Sequence, residues 1–311
     1  MHSVTRRTLL AAALVLAVGW TGAAHAAFTL EDTPGKHMDV LLDGKPVARY
    51  MVEHDTSSKE RHHETYKPYL HILDPADGEP ITKGPHGKYT HHRGLFIGWS
   101  KLACDGKRYD FWHMSGGDIV HQKFLKKEAG PDEAVLTSLT HWITKDGKTV
   151  VVEARTMRFL PPPTDDGIVV VDFVSTLKAP GEAVDLQGDP EHAGMQYRPH
   201  NGVAENKSAK YLFPKESITS GNVKNERDLP WAAETYELRG KTYSVQHMNH
   251  PSNPKETRYS AYRDYGRFGA FFEKEIPAGE SLTVRYRILI RKGDLPPRDT
   301  LQKYYEAFAG K

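Results

Sequence analysis

Fifteen histidines follow residue 26, and eight of them fall between His62 and His121. Histidine is the one side chain whose ordinary pKa lies near neutrality, and its neutral ring is a common metal ligand. The density therefore points to acid–base or metal chemistry. The stretch "KYTHHRGLFIGWS" sets His91, His92 and Arg93 against Gly94 and an apolar run, Leu95–Trp99. A solvated turn would explain the three polar heads, and so would the lip of a site. Neighbours on a strand face opposite ways, so His91 and His92 enter one pocket only if the turn twists them there.

Other junctions repeat the pattern. "DFWH" places Asp110, Trp112 and His113 together, and "GGDIVHQ" adds His121. A Trp can lie on the apolar face of a sugar ring while polar neighbours bind hydroxyls. Equally, it can fill the core. "EHAGMQYRPHN" supplies His192, Gln196, Arg198 and His200, with Gln196 and Arg198 spaced to share one face of a strand. A guanidinium is a rigid fork for a carboxylate or vicinal oxygens. "NHPSNP" offers His250 and Asn253, and "YRDYG" offers Arg263 and Tyr265.

For proton abstraction beside a carbonyl, the chain needs a base and a group that stabilises the resulting anion. His92 or His113 can be that base, with His250 a further catalytic candidate. Arg93 or Arg263 can hold the anion, and Trp112 the ring. Two other readings stay open: a carbohydrate-binding module without catalysis, and a metalloprotein whose histidines bind a divalent ion. No P-loop, G-x-S-x-G, dinucleotide fingerprint, H-E-x-x-H or C-x-x-C occurs.

The elements that must carry these residues read as strands. Met38–Leu42, Pro46–Val52, Ile119–Leu125, Ala134–Thr144, Thr149–Leu160 and Ile168–Leu177 are rich in β-formers and separated by turn signals. In "SLTVRYRILI", Leu282, Val284, Tyr286, Ile288 and Ile290 alternate with polar residues. Only Thr300–Ala309 has helical spacing. The pattern predicts an all-β chain, a large antiparallel β-sandwich with a short C-terminal helix and under about a quarter helix in total. The polar stretches Asp55–Lys67, Asp74–Thr90, Gly188–Asn206 and Met248–Arg263 read as loops.

Residues 1–26 have the basic start, apolar centre and Ala24-His25-Ala26 ending of a signal peptide. Its "VTRRTLL" resembles a twin-arginine signal, with an ordinary secretory signal as the alternative. Cleavage would leave 311 − 26 = 285 residues as one domain, with acids and bases in balance. The expectation is a periplasmic or secreted protein. Nothing in that balance favours nucleic acid, and no long apolar run suggests a span in the mature chain. Cys104 is the one cysteine, so no internal disulfide forms.

Taken together, "YKPYLH", "THHRGLFIGW", "YDFWH…GGDIVHQKF", "NHPSNP" and "YRDYG" resemble the PmoA-like family of secreted bacterial proteins, over about Asp39 to Lys292. The ending "FGAFFEKEIPAGESLTVRYRILIRKGD" is similar to the last strands of galactose-mutarotase-like supersandwiches. The resemblance implies carbohydrate work. By position it adds Lys67, Tyr69 and His71 to the candidates, beside His91, His92, Arg93, Asp110, His113, His121, His250, Asn253, Arg263 and Tyr265. The chain departs from relatives around Glu191–Pro199. The reading is an exported lyase, hydrolase or epimerase acting on a glycoside or keto-glycoside.

Overall fold

The strand Ser281–Lys292 shows how the pattern becomes a core. Val284, Tyr286, Ile288 and Ile290 are buried between sheets, while Arg285 on the alternate face is exposed. Each such buried aliphatic side chain contributes about 1.5–3 kcal/mol relative to exposure. Leu289 breaks the alternation because its face is also covered. A helix over Arg298–Ala309 lies there, and its Leu301 and Tyr305 pack with Val170, Trp231, Ala233, Met248 and Leu289.

The computed structural model describes residues 27–310. The leader read at residues 1–26 lies outside them. Among the described residues, roughly half are strand and a tenth helix, as the patterning predicts. Every strand pair is antiparallel.

One eight-stranded sheet runs, edge to edge, through Phe28–Thr33, His37–Leu42, Lys45–Met51, Tyr69–Ile72, Leu95–Trp99, Ala193–Tyr197, Phe268–Phe271 and Arg258–Tyr259. The second runs through Lys210–Leu212, Trp231–Leu238, Lys241–Asn249, Ser281–Lys292, Gly167–Lys178, Thr149–Leu160, Ala134–Thr144 and Gly117–Ala129. A four-stranded sheet, Lys274–Ile276, Val184–Gln187, Lys101–Cys104 and Lys107–Tyr109, adds Leu102, Val184, Leu186 and Ile276 to the same core.

The neighbouring strands Leu95–Trp99 and Ala193–Tyr197 position the site. Leu95 pairs with Tyr197, Phe96 with Gln196 and Trp99 with Ala193. Leu95, Ile97, Trp99, Met195 and Tyr197 face the core. Phe96 belongs instead to a small cluster with Tyr69 and Trp112 on the outer face of the first sheet. Two stretches read as loops contain regular structure. Asp55–Lys67 holds a helix, α1 (Lys59–Thr65), whose Ser58 hydroxyl caps the Arg61 N–H at 3.1 Å. Gly188–Asn206 holds the strand Ala193–Tyr197 and a second helix, α2 (Asn201–Asn206).

Candidate functional site

Antiparallel pairing brings the entry of one strand beside the exit of its neighbour, so His92 and Arg198 meet. The Arg198 N–H donates to the Gly94 carbonyl at 3.0 Å, and Arg198 Nε donates to His92 Nδ1 at 3.2 Å. A guanidinium is always the donor. His92 Nδ1 is therefore a lone-pair acceptor, and the neutral ring carries its proton on Nε2. His92 is only 3 % exposed. Burial, then His91, Arg267 and Arg198, hold its pKa well below the ordinary value. A ring in this state donates from Nε2 and has its acceptor nitrogen occupied, which removes His92 as the base expected from the sequence.

Two Asp-x-x-His units supply better-placed imidazoles. In Asp110–His113, Asp110 Oδ2 lies 2.8 Å from His113 Nδ1, and Oδ1 accepts the N–H groups of Trp112 and His113. In Asp189–His192, Asp189 Oδ1 lies 2.9 Å from His192 Nδ1. Burial works to raise the Asp110 carboxyl, but the hydrogen bonds from His113 and Trp112 outweigh it and hold it lowered. The bond from His192 does the same for Asp189. Each carboxylate fixes its imidazole with Nδ1–H inward and an Nε2 lone pair free, the orientation a general base needs.

The rings of His113 and His192 are 5.1 Å apart, and His91 lies 4.5 Å from His113 and 4.3 Å from His92. His91 Nε2 is buried without a hydrogen-bond partner. Its pKa is lowered to about 2, by burial first and then by Lys67, His113 and His192. Tyr265 stands 6.3 Å from His92 and 4.9 Å from Tyr89, which is 38 % exposed.

Beneath this face are cations without counter-ions. Arg198, 0 % exposed, donates to the carbonyls of Pro199 and Tyr265 and lies 4.8 Å above the Tyr265 ring. Lys67 Nζ donates to the Trp112 carbonyl at 2.8 Å and sits 4.1 Å over the Phe96 ring. Burial, with Arg93 next, pushes the Lys67 ammonium well below its ordinary value. Arg93, also 0 % exposed, donates to the carbonyls of Thr90, His92 and His63 and stacks 5.0 Å from the Tyr66 ring and 5.6 Å from the Tyr69 ring. Among the described residues, none of these three has a carboxylate in ion-pair contact. Isolated buried charges cost several kcal/mol each.

Several sequence expectations need correcting here. The Arg93 guanidinium does not meet the His92 ring; it lies among Tyr66, Tyr69 and the His63 carbonyl. Trp112 is 0 % exposed and packs on Phe96, so it cannot present a face to a sugar. His121 bonds Ser138 Oγ at 2.6 Å and contacts Tyr50 and Phe124, away from the cluster. His250 and Asn253 do not join the other motifs. His250 packs on Phe308 of the C-terminal helix and bonds Ser252, while Asn253 clamps the Arg285 backbone. Gln196 is a buried tie between the Ala193 carbonyl and Ser260. Arg263 is exposed and paired with Glu191 at 2.6 Å.

The sequence reading missed Asp189, Tyr89, Arg267 and Glu234. Arg267 is buried against the Glu191 backbone. Glu234 is fully buried, both oxygens lack partners, and burial drives its pKa well up despite Arg198 nearby. The Asp-x-x-His spacing, which the sequence also shows at Asp110–His113 and Asp118–His121, was the available signal for Asp189.

Gly94 does not have a positive φ, so no left-handed turn calls for a glycine there. What matters is closeness: a Cβ there would sit 2.2 Å from the Leu70 carbonyl oxygen. Gly94→Ala is expected to push apart Leu70 and Leu95, the pair joining their strands, and to cost about 1–3 kcal/mol, as overpacking does. A urea midpoint unchanged from wild type would refute that.

The imidazole cluster does not converge as a metal cage. Among the described residues, the trio whose ligand atoms all lie within 4.8 Å of one another is His54, His62 and Asp118.

Residues 37–306 match the model of a family described as "Family of unknown function (DUF6807)". That match corrects the PmoA-like resemblance, since the family found over this span is a different one. No helix of the described residues is long and apolar enough to cross a membrane. No curated protein matches the chain by sequence. Among solved structures, it is similar to a galactose mutarotase-like protein from Lactobacillus casei, at 8% identity and TM-score 0.40, covering 85% of this chain and 100% of that one. It is also similar to a heparan sulfate lyase HepC mutant from Pedobacter heparinus, at 12% identity and TM-score 0.38, covering 88% of this chain and 36% of that one. The chain thus spans about a third of that lyase's length. Likeness at this level says nothing of what the chain acts on; its own sheets carry the fold.

Proposed function

We propose, for a chain that belongs to DUF6807, that it is an exported enzyme acting on an oxidised glycoside by imidazole acid–base chemistry. The carrying observation is the pair of carboxylate-oriented imidazoles, His113 and His192, 5.1 Å apart and joined through His91 and His92 to the buried guanidinium of Arg198, which has no carboxylate partner. A field of positive charge in a poorly solvated floor favours a substrate that carries or develops negative charge. A uronate and the enolate of a keto-sugar both fit. In this reading, His113 or His192 takes the proton beside the carbonyl through Nε2. Asp110 and Asp189 hold the tautomers and favour the imidazolium that forms. Tyr89, packed on the half-buried Tyr265, supplies the exposed ring surface that Trp112 does not. Elimination and epimerisation share this first proton transfer, and so does hydrolysis of a keto-glycoside that runs as loss of the leaving group from the enolate followed by addition of water.

The test is turnover on a panel of uronides, glycosides and 3-keto-glycosides. His113→Ala and His192→Ala are each expected to lower kcat/KM by roughly 10²–10⁴, the usual contribution of a positioned acid or base. Both rings sit at the surface side of the cluster, so the thermal midpoint should hold. Binding of a sugar without turnover by the wild-type chain would replace this reading with a carbohydrate-binding one. Unchanged kinetics in both variants would reject the two imidazoles.

A further inference from the structure

We propose that His54, His62 and Asp118 form a binding site for one divalent transition-metal ion, apart from the imidazole cluster. His54 Nε2 lies 3.0 Å and His62 Nε2 2.7 Å from the same carboxylate oxygen, Asp118 Oδ2. The two rings are 6.0 Å apart and nearly perpendicular, at 85°, so their nitrogens converge from two directions. The three residues come from separate elements: the segment after the strand Lys45–Met51, helix α1, and the strand Gly117–Ala129. His54 and His62 are 64 and 56 residues from Asp118 in sequence, and the fold brings the carboxylate to them.

The donor set selects the ion. Two imidazoles and one carboxylate suit zinc, iron, cobalt or manganese, whereas magnesium and calcium take oxygen ligands. An ion with ligands about 2.0–2.1 Å away in a tetrahedral site holds them about 3.3 Å apart. The present 2.7 and 3.0 Å separations need to open by only a few tenths of an ångström. The trio lines a cavity of about 610 Å³, whose wall includes Thr56, Ser58, Met114 and Thr144. Three protein ligands with open space before them leave coordination positions for water or a ligand oxygen, the arrangement of catalytic rather than structural sites.

Helix α1 links this trio to the cluster above. Its His63 carbonyl accepts from Arg93 Nη2 at 2.6 Å, one residue from His62. An ion on His62 would thus fix the element that holds Arg93. The proposal stands without the acid–base reading and is tested without activity.

The untagged chain, stripped with EDTA and dialysed, is titrated with Zn²⁺ by calorimetry and with Co²⁺ by visible absorption. One ion per chain, a Kd below about 10 µM, visible cobalt bands and a raised thermal midpoint are expected, the last by mass action. His62→Ala and Asp118→Asn should each weaken Zn²⁺ binding by at least tenfold, and His113→Ala should leave it unchanged. His54→Ala, at the ligand that lies outside any helix or strand, serves if either of the first two fails to fold. Absence of micromolar binding overturns the proposal. So does Zn²⁺ binding that survives loss of these ligands or vanishes with His113.

Discussion

Arg155→Ala is expected to destabilise the fold by about 3–5 kcal/mol, the usual cost of removing one partner of a buried ion pair. Arg155 Nε and Nη2 donate to Glu153 Oε1 and Oε2 at 2.9 and 2.8 Å, and both side chains are essentially inaccessible. Glu153 also accepts from Thr140, Trp142 and Ser175. Those neutral donors cannot neutralise the charge left behind. A second loss comes from Arg155 Nη1, which donates to the Pro68 carbonyl at 3.0 Å. Pro68 precedes the strand Tyr69–Ile72 of the first sheet, whereas Arg155 belongs to the second, so the contact ties the two together. Urea unfolding measures the effect, which corresponds to a fall of roughly 10 °C for a chain of this size. A change under 1 kcal/mol would sink the idea. Replacing both partners with apolar residues, Glu153→Leu with Arg155→Met, is expected to recover most of the loss because no orphaned charge remains.

The protein is also expected to weaken steeply in mild acid. His71 and His247 are buried, and their pKa values are lowered to about 3, His71 by burial and then by Arg49 and Arg93, His247 by burial. Unfolded histidines protonate near 6.5. Between these values the unfolded chain binds more protons than the folded one. Their contribution is complete above pH 6.5 and is lost as pH falls towards 3. At pH 5 each residue has lost about 2 kcal/mol, or about 4 kcal/mol for the pair. Urea midpoints at pH 7.5 and 5.0 give the comparison. Equal stability at the two values, or an equally steep slope in a His247→Gln variant, would show that these rings are not held neutral.

How much was legible follows from where local pattern and tertiary contact each decide. Ala134–Thr144 and Thr149–Leu160 could be bounded to the residue because β-branched content, alternation and the Asp146-Gly147 turn all agree. Helix α1 was not visible, since "KERHHET" is polar on every side and its order depends on Ser58 and packing through Tyr66. The strand Ala193–Tyr197 was hidden because both its faces are buried, which erases alternation.

The site divides in the same way. His91, His92 and His113 were flagged by type, and the structure gathers them with His192. Asp110 and Asp189 act on their histidines three residues on, a spacing the sequence displays. The His92–Arg198 contact spans 106 residues and arises from strand register, which no local feature reveals. The side Arg93 takes was not legible, because residues 91–94 precede the strand Leu95–Trp99 and strand alternation does not govern them.

The C-terminal helix has a practical consequence for handling the molecule. It covers the outer face of the second sheet, while the imidazole cluster lies over the outer face of the first, with the whole sandwich between them. A linker fused after Ala309 would therefore anchor the protein by its back. Immobilised on a bead or sensor chip in that way, every copy would present its histidines to the flowing solution, and surface attachment would not compete with substrate access.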